Sequence, residues 1–508
     1  MPQLLQNLKK VKVAFTLCML PIGLLAQLSL SPFFGNHMVV QRNRPIHFWG
    51  KGQPQTTVVL KLGNTTKETT VEKDSTWSLY LKRHKASSEP MGLLIVNGGK
   101  RIEINNIMVG DVWLCIGQSN MEWPMEREMY FKNANGFAGD SLLRFYNPTY
   151  AGKNIYNKIF VDSIASQLTP EGFYRGNWQE CDSTSVNTMS AVGYYFGKTI
   201  MDTEAVPIGL IHLAIGGAPI ETFIDRKSFL RNPRFKNKVK GNWLDNDELP
   251  VWVRERGRQN VGGAKNVPQD NLGPNHAFKP GFAYEAGVRP LMKMPIRGIV
   301  WYQGESNAQE LDRVEEYGEL QEMMVKAYRR QWKDPDMPFL WAQLSSIDTV
   351  HYKSRFWPEF RNEQRKLLDR IQNSGMAVTS DIGARHDVHP INKKAVGERL
   401  ARWALSTVYG HDEVPSGPLP KKAKYKNGNI IVTFRYGKGL TTSDGEAPRG
   451  FSLDGKSPIL AFIDERDRIV IPSPQKPKKL YYAWKPWTDA NLVNAGQLPA
   501  STFKVSVK

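Results

Sequence analysis

The sequence predicts an α/β fold, a parallel sheet with helices on both faces, flanked by amino- and carboxy-terminal β-rich units. Three observations carry that prediction. Short apolar runs alternate with long helical patterns between about residues 106 and 410; short, turn-punctuated strands fill the regions before and after; and four of the central strands end in clusters of polar residues. With 508 residues, 41% apolar and 11% aromatic, the chain can build two or three domains and is not disordered.

Residues 1–26 place Lys9, Lys10 and Lys12 before an apolar segment that closes in "GLLA", the pattern of a secretory signal cleaved near Ala26 or Gln27. Pro21 interrupts the apolar part, which falls short of the roughly 20 residues needed to span a bilayer, and Cys18 lacks the context of a lipoprotein cleavage site. Export to the periplasm or the cell exterior is expected, without membrane insertion. Removal of this leader leaves Cys115 and Cys181, enough for one disulfide, although Cys115 lies in an apolar run and reads as core. The net charge of +19 comes from scattered Lys and Arg, with no dense block interleaved with aromatics. That distribution describes a solvated basic surface, so no nucleic-acid partner is expected.

Residues 27–105 hold "HMVVQ", "PIHFWG", "TTVVLKL", "WSLYLK" and "GLLIVNG", separated by Gly, Pro and Asn, which predicts a small antiparallel β unit. The central region, 106–410, has strands at "DVWLCI", "IGLIHLAI", "IRGIVWYQ", "FLWAQL" and "MAVTSDI". Helices are predicted at "AVGYYFGKTIMDTEA", "VEEYGELQEMMVKAYRRQW", "EFRNEQRKLLDRIQ" and "KKAVGERLARWALSTVYG". The stretch from about 226 to 280, rich in Asn, Pro, Gly and charge, reads as a surface excursion. Residues 411–508 return to short strands in "NIIVTFRY", "RIVIP" and "KKLYYAW".

Four segments follow strands of the central region: "GQSNM" the first, "GGAPIE" the second, "QGESN" the third and "ARHDVHP" the fifth. In open parallel sheets ligands bind beyond the carboxyl ends of the strands, so these segments should converge. A serine there needs a base to take its proton and a carboxylate to orient that base. Ser119, His389 and Asp387 supply the three groups. The developing oxyanion needs donors, for which the backbone N–H groups of Ser119 and Gly217 are candidates, with a side-chain amide from Gln303 or, alternatively, Asn307.

The turn is not G-x-S-x-G, so the nucleophile elbow of the α/β-hydrolases is absent. Instead "GQSNM", the Gly after the second strand, "WYQGESNA" and "DVHP" resemble the four blocks of the SGNH, or GDSL-like, hydrolases, in the subgroup of sialate O-acetylesterases and related carbohydrate acetylesterases. "HMVVQRNRPIHFWGKG", "NKKAVGERLARWAL" and "NLVNAGQLPASTF" extend the resemblance over most of residues 30–505. It implies an SGNH-type three-layer fold and a cofactor-free esterase in which Ser119 is nucleophile, His389 base and then acid, Asp387 its orienting partner, and Ser119, Gly217 and Gln303 the oxyanion donors. Gln303 is preferred to Asn307 because it sits at the strand end. Gln118, Asn120, Trp123 and Glu305 are candidate substrate contacts. The chain departs from the family pattern in two places: "DIGARHD" lacks an acidic residue often found after Ile-Gly, and the additional β domain that longer members carry before the third strand is not evident.

Other readings of the same residues are weaker. His386, Asp387 and His389 together suggest a metal site, but no fourth ligand accompanies them and no metal is expected. Glu122 and Glu305 are the pair a glycosidase would use, though a serine hydrolase needs no second acid. "IGGAP" is too short of glycines for a dinucleotide site, and Trp301, like Trp123, could border an acyl or sugar pocket, though an aromatic beside a strand is usually core. The expected partner is therefore an O-acetylated sugar or glycan, with O-acetyl sialic acid first, acetylated xylan or another glycan as the alternative, and a non-catalytic glycan-binding protein as the second.

Overall fold

The computed structural model describes residues 27–131 and 139–508. The expected signal segment, with Cys18 and its cleavage site, lies outside the described residues. No described helix is long and apolar enough to cross a membrane.

The amino-terminal region forms two small sheets. Ser29–Leu30, Ile46–Lys51 and Thr76–Leu81 make one, and Thr57–Leu62 pairs antiparallel with Thr65–Thr70 and Ser87–Asn97 in the other. The strand that follows, β1 (Lys100–Gly117), links this region to the main sheet. Its first half pairs antiparallel with Ser87–Asn97 and exposes alternate residues; its second half, from Ile107 on, is buried throughout. The change follows from the neighbours, because an antiparallel ladder here keeps one wet face while a parallel strand is covered on both. The boundary expected between residues 105 and 106 thus falls inside a single strand, at Asn106, whose φ of 61° interrupts the ladder register.

β1 is central to a run of six parallel strands among the described residues, and the short strand Val39–Gln41 also pairs parallel with its residues Met108–Gly110. With β2 (Asp140–Tyr146), β3 (Ile208–His212), β4 (Gly298–Tyr302), β5 (Phe339–Ala342) and β6 (Ser374–Ala377) the order is β2-β3-β1-β4-β5-β6. The five strands expected from apolar runs are all present. β2 and the antiparallel edge strand Trp178–Cys181 were not expected. Their apolar pattern is broken by Arg144, which is buried and donates to the carbonyls of Ser141, His37 and Asn106 while facing Glu180 at 3.1 Å.

Beyond the short helical turn α1 (Ser119–Glu122) that follows β1, side-chain alternation assigns the helices to faces. Trp113 meets Phe196 of α2 (Ala191–Glu204) at 5.0 Å between ring centroids, and a Cβ on Gly197 would touch Leu210 and Ile208 of the same face. Trp301 lies on the opposite face and donates to the Tyr317 hydroxyl of α3 (Leu311–Trp332). α4 (Trp357–Lys366) packs with α3, and α5 (Lys393–Ala404) with α2. Trp301 is core, as expected.

Residues 226–280 are not the surface excursion the composition suggested. They contain the helices Arg226–Arg231 and Val251–Val261 and bury Phe229, Phe235, Trp243 and Lys238. Polar residues concealed this because several of them are themselves buried in pairs: Lys238 lies between Glu221 and Glu316, at 3.1 and 2.6 Å. One apolar core runs from Leu28 to Leu419, while Ala423 to Val507 form a second around antiparallel ladders such as Leu419–Lys426 with Asn429–Arg435. Cys115 and Cys181 are both buried and unbonded, so the one possible disulfide is not formed.

Candidate active site

β1 lies between β3 and β4, at the point where the strand order reverses direction, and the crevice beyond its carboxyl end is where an open α/β sheet accommodates a ligand. The chain leaves β1 through Gly117, with φ 140°; a Cβ there would sit 2.1 Å from the Tyr302 carbonyl oxygen, so no other residue fits the turn. Gln118 N–H donates to that same carbonyl at 2.9 Å. Ser119 then opens the short helical turn Ser119–Glu122. A first-turn N–H has no partner within its helix and points outward, which leaves the Ser119 amide available to an anion.

His389 arrives from the far side. β6 is separated from β1 by β5 and β4, so the segment after it crosses two strand ends before reaching Ser119. There His389 Nε2 lies 2.8 Å from Ser119 Oγ. Its Nδ1 is 3.4 Å from Asp387 Oδ1, the oxygen that also accepts the His389 backbone N–H at 2.8 Å. The Asp387 side chain is 61% exposed. The His389 ring stacks on Trp123 at 5.4 Å and 22°. Burial, assisted by the positive charge of Lys393, lowers the imidazole pKa below its usual 6.5 against the opposing pull of Asp387.

These groups border a cleft of about 320 Å³, lined by Ser119, Glu122, Trp123, Arg127, Lys153 and Tyr156 among others. The volume is at the lower end of the roughly 300–1,000 Å³ typical of small-ligand sites. Lys153 faces Glu122 at 3.1 Å, and Glu122 also accepts from the Tyr150 hydroxyl. Neither Arg127 nor Lys153 was identifiable as a cleft residue from its sequence context, since Arg127 ends a single 3-10 turn and Lys153 lies in a loop turn.

The other expected site residues go elsewhere. Gln118 is buried, and its Oε1 accepts from Gln303 Nε2 at 3.1 Å and faces the N–H groups of Gly304 and Ser306. Asn120 and Glu305 are buried and hydrogen-bonded to each other. All three were expected to touch substrate, and instead they join loops behind the cleft; Trp123 alone of that set lines it. The amides expected at the oxyanion are also engaged within the protein. Gln303 Nε2 donates to Gln118 Oε1, to the Ala218 carbonyl and, at 2.7 Å, to Asn307 Oδ1. Asn307 Nδ2 donates to Glu221 at 3.0 Å, which continues the buried network toward Lys238 and α3. Spacing placed both at a strand end, but only the fold shows that carboxylate and carbonyl acceptors surround them. Gly217 has a left-handed φ of 74° and is partly exposed, as a backbone donor at a crevice requires.

His386 turns away from the pair that follows it. Its Nδ1 is 3.1 Å from Asp348, beside His351, so the trio His386, Asp387 and His389 does not converge on one point. One residue absent from the expectations stands next to the site: Lys393, fully buried at the start of α5, donates to Asn120 Oδ1. A Lys in the first turn opposes the helix dipole, and that misplacement was the signal available in the sequence.

Comparisons with known proteins point to carbohydrate esterases. Residues 279–406 match the family model described as carbohydrate esterase, sialic acid-specific acetylesterase; that stretch holds Gln303, Asp387 and His389 but not Ser119. Sialate O-acetylesterase of Pongo abelii is 28% identical over 443 residues, 80% of this chain and 76% of the relative, and the Homo sapiens enzyme gives the same figures. A carbohydrate acetylesterase from Xanthomonas citri superposes with a TM-score of 0.76 at 28% identity, covering 94% of this chain and 99% of that one. On the family model, these relatives and that structure together, the chain is an esterase similar to the sialate O-acetylesterases and to carbohydrate acetylesterases.

Proposed function

We propose that this chain is an exported carbohydrate O-acetylesterase with an SGNH-type three-layer catalytic region, acting on O-acetylated sialic acid through a Ser119 acyl-enzyme. The observation that carries the reading is the 2.8 Å contact between Ser119 Oγ and His389 Nε2 at the cleft. The contact is within hydrogen-bond reach, the first requirement of a nucleophile and its base.

In this mechanism Ser119 Oγ attacks the acetyl carbonyl as His389 Nε2 takes its proton. The oxyanion forms toward the backbone N–H groups of Ser119 and Gly217, with the polar wall of Gln118, Gln303 and Asn307 holding that turn in place. When the tetrahedral intermediate collapses, His389 returns the proton to the sugar oxygen and the deacetylated sugar leaves. A water, deprotonated by the same imidazole, attacks the acyl-enzyme and releases acetate and the free serine. Asp387 faces Nδ1 and stabilises the imidazolium formed in each half-reaction.

Acetate release measured across O-acetylated sialic acids and acetylated xylo-oligosaccharides tests the substrate. Faster turnover of the xylo-oligosaccharides transfers the reading to a plant-glycan esterase using the same residues. Ser119→Ala is expected to abolish release with the fold intact, and unchanged turnover would sink the mechanism. An organophosphate that forms no adduct at Ser119 would favour a glycan-binding protein instead.

A further inference from the structure

Lys393 occupies a position that is costly in two ways. Its ammonium is completely buried, which strips the charge of its hydration. It also sits at the first residue of α5, where the helix dipole disfavours a cation. The groups around it explain how it is tolerated. It donates to Asn120 Oδ1, lies 5.5 Å from the centre of the Trp123 ring and 5.7 Å from that of Tyr302, and is within the electrostatic reach of Glu305, Asp387 and Glu128.

Those partners come from three separate strand ends. Asn120 follows β1 and is adjacent to Ser119. Glu305 follows β4 and accepts the Asn120 amide, while the second acceptor of that amide is the Val388 carbonyl, 2.9 Å away and adjacent to His389. A single buried chain, Lys393 to Asn120 to Glu305 and Val388, thus ties the turn bearing the proposed nucleophile to the loop bearing its base.

We propose that Lys393 is a positioning residue for this esterase: through Asn120 it fixes the Ser119–His389 approach, and it holds a cation beside His389 across the Trp123 ring that both share. The inference rests on the serine-esterase reading above. Asn120 supplies the geometric part, since its amide bridges the two loops only while its carbonyl oxygen is held by Lys393. The electrostatic part follows from the Trp123 ring, which stacks on His389 at 5.4 Å and lies 5.5 Å from the Lys393 ammonium. His389 is faced by Lys393 and Asp387, with Ser119 and the Trp123 ring completing its surroundings and Glu122, Glu126, Arg127 and Lys153 farther along the cleft wall. Burial lowers the Lys393 pKa to about 7, so the amine carries its charge on the acidic side, where His389 would otherwise take up a proton.

The test compares Lys393→Met, Lys393→Gln and Asn120→Ala by kcat, KM and the pH profile of kcat/KM. Melting temperature and stoichiometric organophosphate labelling count the folded sites. Lys393→Met is expected to lower kcat at least about tenfold with KM within about twofold. It should also move the acidic limb of kcat/KM upward by about half a pH unit or more. Lys393→Gln, which keeps a donor to Asn120 but no charge, should move the limb equally with a smaller loss of kcat, and it decides the matter if the Met variant does not fold. Asn120→Ala should lower kcat and leave the limb in place. Folded Lys393 variants with an unmoved limb and unchanged kcat would overturn the inference. If Ser119→Ala is inactive in that case, the esterase reading survives; an active Ser119→Ala overturns the reading itself.

Discussion

Ser119 and His389 meet at 2.8 Å, yet they reach that point from parts of the molecule built differently. The serine turn belongs to the central strand. It is set by a glycine that only glycine can replace, a backbone bond to the neighbouring strand, and a layer of buried amides. The histidine loop comes from the sheet edge, crosses two strands, and carries an aspartate that is 61% exposed. One of its ties to the centre is the Asn120 amide on the Val388 carbonyl, and another is the Met129 N–H on the Ile391 carbonyl. The proposed nucleophile is thus placed chiefly by topology and main chain, whereas the proposed base depends in addition on side-chain tethers. Damage to the first should cost the fold as well as the activity; damage to the second should cost activity alone.

The largest effect separates chemistry from scaffold. His389→Ala is expected to reduce kcat by about 10⁴-fold or more with melting temperature little changed, in line with the loss of a base that acts as a unit with its serine. Gly117→Ala should reverse that pattern. Its Cβ would meet the Tyr302 carbonyl at 2.1 Å in a left-handed conformation, so a destabilisation of at least about 2 kcal/mol, or failure to fold, is expected in denaturant titration. Equal stability of Gly117→Ala and wild type would erase the distinction between the two halves.

Asp387→Ala should cost less than the loss of a buried triad carboxylate, about 10- to 100-fold in kcat, because water already screens the exposed carboxylate and its contact to Nδ1 is 3.4 Å. The pH profile sharpens the comparison further. A base must be neutral to accept a proton, and burial together with Lys393 holds the His389 pKa below 6.5, so kcat/KM should persist into mildly acidic pH and fall only as pH drops through that lowered value. A limb at or above 6.5 would contradict it. The smallest effect belongs to the cleft wall: Arg127→Ala is expected to raise KM for an O-acetylated sialic acid about three- to tenfold while leaving a neutral acetylated sugar unaffected, since Arg127 lines the cleft as an exposed cation.

Much of the parallel sheet was legible because burial on both faces writes itself into sequence as continuous apolar runs, and the five expected strands were of that kind. β2 was not, because Arg144 interrupts its run with a charge that only the folded neighbours neutralise. Residues 226–280 misled for the same reason, their buried Lys238 being paired with carboxylates from elsewhere in the chain.

The sequence by itself determined the alternation of strands and helices, the presence of polar clusters at strand ends, and the choice of Ser119, Asp387 and His389 as the proposed reactive set. These are local properties: periodicity, turn chemistry and residue type. What only the tertiary structure decided is which polar groups face the cleft and which face one another. Gln118, Asn120, Gln303, Glu305 and Asn307 carry the same functional groups whether they bind a substrate or a neighbouring loop. A buried donor must find an acceptor, and across separations of up to 273 residues that pairing is created by the fold and by nothing in the local sequence.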